Sequence, residues 1–344
     1  MNAAPVSGFG EIRQILGAWP QADEAARAAV IARDRHLTKP GGSLGRLETL
    51  VQWLASWQGR HPPTVDRPRV AVFAGSHGVA QRGVSAYPAD VTAQMVQNFI
   101  AGGAAINQLC RVADAELRVY EMAVDHPVGD FTETPAMDEA TCARAMAYGM
   151  MAVEPGIDLL CLGEMGIGNT TAGAALAAAL FGGKAAEWVG PGTGVEGEAL
   201  AHKIAIVDRG LTRHRGAGGT MEPLAALASF GGQEMAAIAG ATIAARMARV
   251  PVLLDGFVTT VSAAVLHALQ PGALDHCRVA HLSSEPGHRR LVEIIEKRPL
   301  LDFDMRLGEA SGAALAIPLL RAAVACHTGM ATFEEAGVSG RAEG

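Results

Sequence analysis

Several things this chain of 344 residues lacks narrow its function before any motif is read. Aromatic residues make up 5%, and 28 Lys and Arg are scattered among 35 Asp and Glu. There is therefore no basic stripe with stacking platforms, and no nucleic-acid partner is expected. The five cysteines, Cys110, Cys142, Cys161, Cys277 and Cys326, form no CxxC pair and no Cys/His cluster at zinc spacing. They read as reduced core residues. The opening MNAAPVSGFGEIRQ has no basic region followed by a long apolar run, and no later segment reads as apolar enough to span a bilayer. A cytoplasmic chain with no membrane partner is expected.

Apolar residues, at 49%, are plentiful enough for a large core. Strand-like runs recur between helical stretches: RVAVFA (69–74), LRVYEMA (117–123), IDLLCLG (157–163), AEWVG (186–190), VPVLLD (250–255) and CRVAHLS (277–283). They are too continuously apolar to keep one wet face. Buried strands alternating with helices predict a doubly wound, mainly parallel α/β sheet of about six strands. The chain ends are helical in pattern, with EIRQILGAW, EAARAAVIARDRHL and LGRLETLVQWLASW before the HPPTVDRP breaker, and GAALAIPLLRAAVACH before the tail GVSGRAEG. The division expected is a large α/β domain over 66–298 and a small discontinuous helical domain built from 1–65 and 299–344.

In such a sheet, ligands bind beyond the carboxyl ends of the strands. The exits are GSHGVAQRGVSAYP, EMGIGNTT, PGTG, DGF and SEPGH. Glycines let backbone approach a ligand, and helix N-termini offer amides to an anion. Asn169, Thr170 and Thr171 suit a phosphate, yet the same residue types cap helices. Repetition of this chemistry at neighbouring exits, with Lys203 as a source of charge, favours a phosphorylated ligand over capping alone. GxxxxGK[ST] is absent and no GxGxxG opens the first unit, which argues against ordinary ATPases and NAD dehydrogenases. VLLDGFVTT carries one acid, Asp255, where the motif of phosphoribosyltransferases using activated ribose pyrophosphate has two. No metal and no cofactor are expected.

Two acids stand at suggestive places. Glu309 lies at the mouth of the last helical stretch, either as a charge stabilised by the helix dipole or as a partly desolvated base. Glu164 sits at the tip of the third strand. His77, His281 and His288 are further candidates beside ordinary structural readings, and there is no Ser-His-Asp arrangement or GxSxG elbow.

TKPGGSLGRLE (38–48), FAGSHGV (73–79), GVSAYPADVT (83–92), GEMGIGNTT (163–171), GPGTG (190–194), DGFVTTVSA (255–263), HLSSEPGH (281–288) and RLGEASGAA (306–314) occur in this order. Together they closely resemble the nicotinate-nucleotide:dimethylbenzimidazole phosphoribosyltransferases of cobalamin nucleotide-loop assembly. The resemblance implies transfer of a 5-phosphoribosyl group from nicotinate mononucleotide to dimethylbenzimidazole by a homodimer. It implies Glu309 as catalytic base and Glu164 as the second acid. Gly166, Gly168, Asn169, Thr170, Gly192, Thr193, Gly194, Lys203 and Ser283 correspond to nucleotide and phosphate contacts, while Ser85, Tyr87, Gln94 and Leu307 would shape the acceptor-base pocket. Two positions depart from the family pattern. Ser76 stands where the first exit usually has an acid, and Pro40-Gly41 where two prolines are common. A hydrolase using water as acceptor and a non-catalytic nucleotide sensor are the rival readings.

Overall fold

The computed structural model describes residues 8–215 and 219–340. Residues 1–7 of the opening segment and 341–344 of the tail, the outer edges of the expected small helical domain, lie outside the described residues.

Three helices come first: α1 (Phe9–Leu16), α2 (Glu24–Asp34) and α3 (Arg46–Gln58). The Asp23 side chain accepts the Ala26 amide at 2.9 Å to start α2, and Gly59, at φ +63°, closes α3 in a left-handed turn. β1 (Pro68–Gly75) follows and is buried along its whole length. Next come α4 (Val91–Ala101), α5 (Ala105–Val112), β2 (Glu116–Met122), α6 (Glu139–Met150), β3 (Leu159–Met165) and α7 (Asn169–Phe181). A helical run of α8 (Gly197–His214), α9 (Pro223–Phe230) and α10 (Gln233–Met247) leads to β4 (Val252–Leu254) and α11 (Phe257–Leu269). The chain ends with β5 (Cys277–Val279), β6 (His281–Leu282), α12 (Pro286–Ile294), β7 (Leu301–Asp302) and α13 (Ser311–Gly329).

The main sheet has five parallel strands in the order β2-β1-β3-β4-β5. Strand order reverses between β1 and β3, and a crevice opens there beyond the carboxyl ends. Alternate residues face two cores. Ala71, Phe73, Leu160 and Leu162 pack with α6, α7, α10 and α11, while Val70, Val72, Leu159 and Cys161 pack with α2, α3, α5 and α13. The α6–α10 contact depends on glycine, because a Cβ on Gly149 would lie 1.9 Å from the Ala237 carbonyl oxygen and one on Gly240 1.8 Å from that of Met146. Helices from both chain ends thus cover one face of the sheet.

Three expectations need correction. AEWVG is not a strand: Gly182 and Gly183, at φ +75° and +87°, turn the chain into a 3-10 turn at Ala185–Glu187, and the Trp188 indole nitrogen donates to the Gly182 carbonyl at 2.8 Å. The CRVAHLS run divides at Ala280 into β5 and β6, and β6 leaves the main sheet to pair with β7. Ser311–Gly329 is long and apolar enough to cross a membrane by length and composition, at mean hydropathy 1.3. Its residues Ala313, Ala314, Ile317 and Leu320 are instead buried against the sheet.

Candidate active site

Beyond the β1–β3 reversal lies a cavity of about 710 Å³. Of the residues singled out in the sequence, Tyr87, Glu164, Gly166, Asn169, Thr170, Gly192, Thr193, Ser283, Leu307 and Glu309 line it. Gly168, Gly194, Lys203, Ser85 and Gln94 do not. Gln94 is exposed on α4, and Val91 and Met95 form that wall.

Close approach of two distant segments creates the acidic floor. Gly163 on β3 has no side chain, and a Cβ there would stand 2.0 Å from the Ala310 amide nitrogen. The segment 308–310 therefore lies directly on the strand, with the Glu309 amide donating to the Glu164 carbonyl at 3.1 Å. Gly308, Glu309 and Ala310 have φ of +84°, +61° and +60°. Two consecutive non-glycine residues in the left-handed region store strain of order 1–3 kcal/mol each. Asp255, after β4, holds the following helix in place: its Oδ1 accepts the amides of Gly312 at 2.7 Å and Ala313 at 3.0 Å, capping α13 from another part of the chain.

Burial sets the protonation of these acids. Glu309 is 5% exposed, desolvation raises its pKa to about 7, and its Oε2 has no hydrogen-bond partner among the described residues. Glu164 is pushed up to about 8, first by desolvation and then by the charges of Asp255 and Glu234, against a hydrogen bond from Asn169. Asp255 rises to about 7 through desolvation, opposed by its backbone donors and reinforced by Glu309. The three carboxyl groups titrate as an interacting set.

The glycine loops are held from several sides. Asn169 gives its amide group to Glu164 Oε2, so it positions the acid. The amides of Asn169 and Thr171 donate to the carbonyls of Gly166 and Gly168, which occupies two donors at the start of α7. Lys203 is 1% exposed, with Nζ 2.9 Å from both Thr170 Oγ1 and the Gly190 carbonyl, and desolvation pulls its pKa down to about 8. It lies behind the loop. Ser85 pairs with Thr193 across 2.9 Å, and Thr193 Oγ1 accepts the Ala86 amide at 3.0 Å, which joins the GVSAYP and PGTG loops.

The histidines fall into different places. His288 accepts the Ser283 amide at Nδ1 and meets Thr260 Oγ1 at Nε2, and burial pushes its pKa down to about 3, so it is a neutral strut. His77 is tied at 2.6 Å to the buried Glu234. His281 lines the cavity, with Nε2 3.5 Å from Asp255 Oδ1. Two charged lining residues were missed in the sequence. Arg306 Nη1 donates to the Gly192 carbonyl at 2.7 Å, and Glu285 Oε1 accepts the Gly192 amide at 2.8 Å. Both stood in recognised blocks, but their common partner is more than ninety residues away in sequence.

Fold and site together describe an α/β protein with a cavity of a size for a small ligand at a strand-order reversal, between glycine loops and buried acids. A family model described as Phosphoribosyltransferase matches residues 19–338. The nicotinate-nucleotide–dimethylbenzimidazole phosphoribosyltransferase of Brucella anthropi is 55% identical over 96% of this chain and 97% of its own. That of Rhizobium meliloti is 56% identical over 97% and 98%. A crystal structure of the like-named enzyme from Thermus thermophilus superposes with a TM-score of 0.84 at 42% identity, covering 93% of this chain and all of that one. The chain belongs to the nicotinate-nucleotide–dimethylbenzimidazole phosphoribosyltransferase family and is an enzyme of cobalamin biosynthesis.

Proposed function

We propose that this enzyme transfers the 5-phosphoribosyl group from nicotinate mononucleotide to 5,6-dimethylbenzimidazole, giving α-ribazole 5′-phosphate and nicotinate, with Glu309 as general base. The observation that carries this reading is the Glu309 carboxyl group: buried, raised in pKa, and with Oε2 unpartnered in the cavity wall. The names of the relatives support the two substrates.

The chemistry asks little of the protein beyond placement and one proton acceptor. Nicotinate leaves from a glycosidic nitrogen that is already cationic, so its departure needs no protonation. A neutral benzimidazole attacks through one ring nitrogen while the other still carries a proton. Glu309 within hydrogen-bond reach takes that proton and orients the ring. Attack opposite the leaving group inverts the anomeric carbon from β to α. Tyr87, Val91, Met95, Met165 and Leu307 supply an apolar wall suited to the flat acceptor. The positive charge of the bound nicotinate ring favours the ionised forms of Glu309 and Glu164, opposing the effect of burial. A phosphate held remote from the reacting carbon contributes binding energy to this alignment. Residues 1–65 and 299–344 serve in this reading as the helical unit that delivers Glu309, and the assembly is a homodimer in the cytoplasm.

Purified protein with nicotinate mononucleotide should release nicotinate only when dimethylbenzimidazole is present, with an α-linked ribazole phosphate as coproduct. Equal release without the azole would establish a hydrolase, and binding without release a sensor.

A further inference from the structure

The cavity poses a charge problem. Glu164, Glu285 and Glu309 line it, yet the substrate proposed above carries a phosphate and a carboxylate. Lys203 is the cation that the sequence offers, but its ammonium is buried behind the 190–194 loop and bonded to Thr170 and Gly190. Among the described residues that line the cavity, Arg306 alone carries a full positive charge.

Arg306 is exposed at the cavity mouth, but its guanidinium is anchored. One nitrogen, Nη1, is fixed on the Gly192 carbonyl at 2.7 Å, while the other face of that loop residue is fixed by Glu285 on the Gly192 amide at 2.8 Å. Gly192 has φ +54°, and a Cβ there would meet Thr170 Oγ1 at 2.6 Å and Lys203 Nζ at 2.8 Å. The loop is thus clamped, with Lys203 below and Arg306 at the cavity side. A guanidinium has five N–H donors in a planar fork. One is spent on Gly192, which leaves an anchored fork beside the Gly192 loop, in a cavity also lined by Gly166, Thr170 and Ser283. Arg306 is also three residues before Glu309, so a ligand engaging it would press on the segment that carries the base.

Resting on the functional reading above, we infer that Arg306 is the cation that meets an anionic oxygen group of the donor nucleotide. Lys203 acts by positioning the loop. The shared chemistry is a charged oxygen pair or triad, supplied by either the phosphate or the nicotinate carboxylate.

Equilibrium binding to wild type, Arg306→Gln and Arg306→Lys tests this with three ligands: nicotinate mononucleotide, nicotinate riboside without the phosphate, and nicotinamide mononucleotide without the carboxylate. Arg306→Gln should weaken nicotinate mononucleotide by about 10- to 100-fold, the range of one or two hydrogen bonds to a charged group. The penalty should nearly vanish for whichever ligand lacks the contacted group, which identifies that group. Arg306→Lys should recover part of the loss, because charge returns without the fork. Lys203→Met should weaken all three ligands alike. An equal penalty from Arg306→Gln on all three, or none on any, would overturn the inference and leave the functional reading standing. Failure of wild type to bind nicotinate mononucleotide would overturn both.

Discussion

At the residue scale, the same burial that suits Glu309 to accept a proton also ties activity and stability to pH in opposite senses. Glu309 must be ionised to act as base, so kcat/KM should rise with pH along a limb centred near 7, where burial places its pKa. A limb near the ordinary carboxylate value would contradict its role. Stability runs the other way. Glu164 ordinarily titrates at 4.5 and is raised to about 8 in the fold, so the folded state holds more protons than the unfolded one between those values. Its contribution is fully present below about pH 4.5 and is lost as pH rises through about 8. Thermal melts of Glu164→Gln should therefore show the variant gaining on wild type as pH increases from 5 to 8.5. A constant difference across that range would show that the shift is absent. Arg306 and Asp255 show what local pattern hides: the first matters through Gly192 and the second through α13, and neither partner is near in sequence.

At the element scale, the site depends on how closely α13 and the segment before it approach β3. Replacing Gly163 with Ala would drive a methyl group into the Ala310 backbone, 2.0 Å away. The expected cost is about 1–3 kcal/mol, with a fall in kcat larger than the unfolded fraction explains, because Glu309 is displaced from Glu164. Gly10→Ala, in α1 with open space around it, is the matched control and should be neutral or slightly stabilising. Melting temperature and kcat of both variants check this. Much of this scale was legible in the sequence. The buried strands β1 and β3 follow from continuous apolar runs, whereas β2, at the sheet edge, is exposed or half-buried except at Met122; the glycine-rich exits mark where the cavity opens. AEWVG failed because its apolar content serves one buried indole beside a glycine turn, so composition without periodicity misled. Gly163 was unremarkable in sequence because its significance is the space left for Ala310.

At the scale of the whole molecule, helices from the two chain ends cover one face of the sheet, and the cavity draws on residues from Tyr87 to Glu309. Glu309 therefore takes its place beside β3 together with the last helix, which is docked through Asp255 on the amides of Gly312 and Ala313. The family resemblance was legible because its blocks keep their order. The clamp on Gly192 was not, since it joins residues 192, 285 and 306 through tertiary contact. The account stands most directly on Glu309. Glu309→Gln keeps the shape of the side chain and removes its basicity, so azole-dependent turnover at saturating substrates should fall by about 10²- to 10⁴-fold while the nicotinate mononucleotide Kd stays within a few fold. Turnover within a few fold of wild type would contradict the assignment of the base, and with it the mechanism.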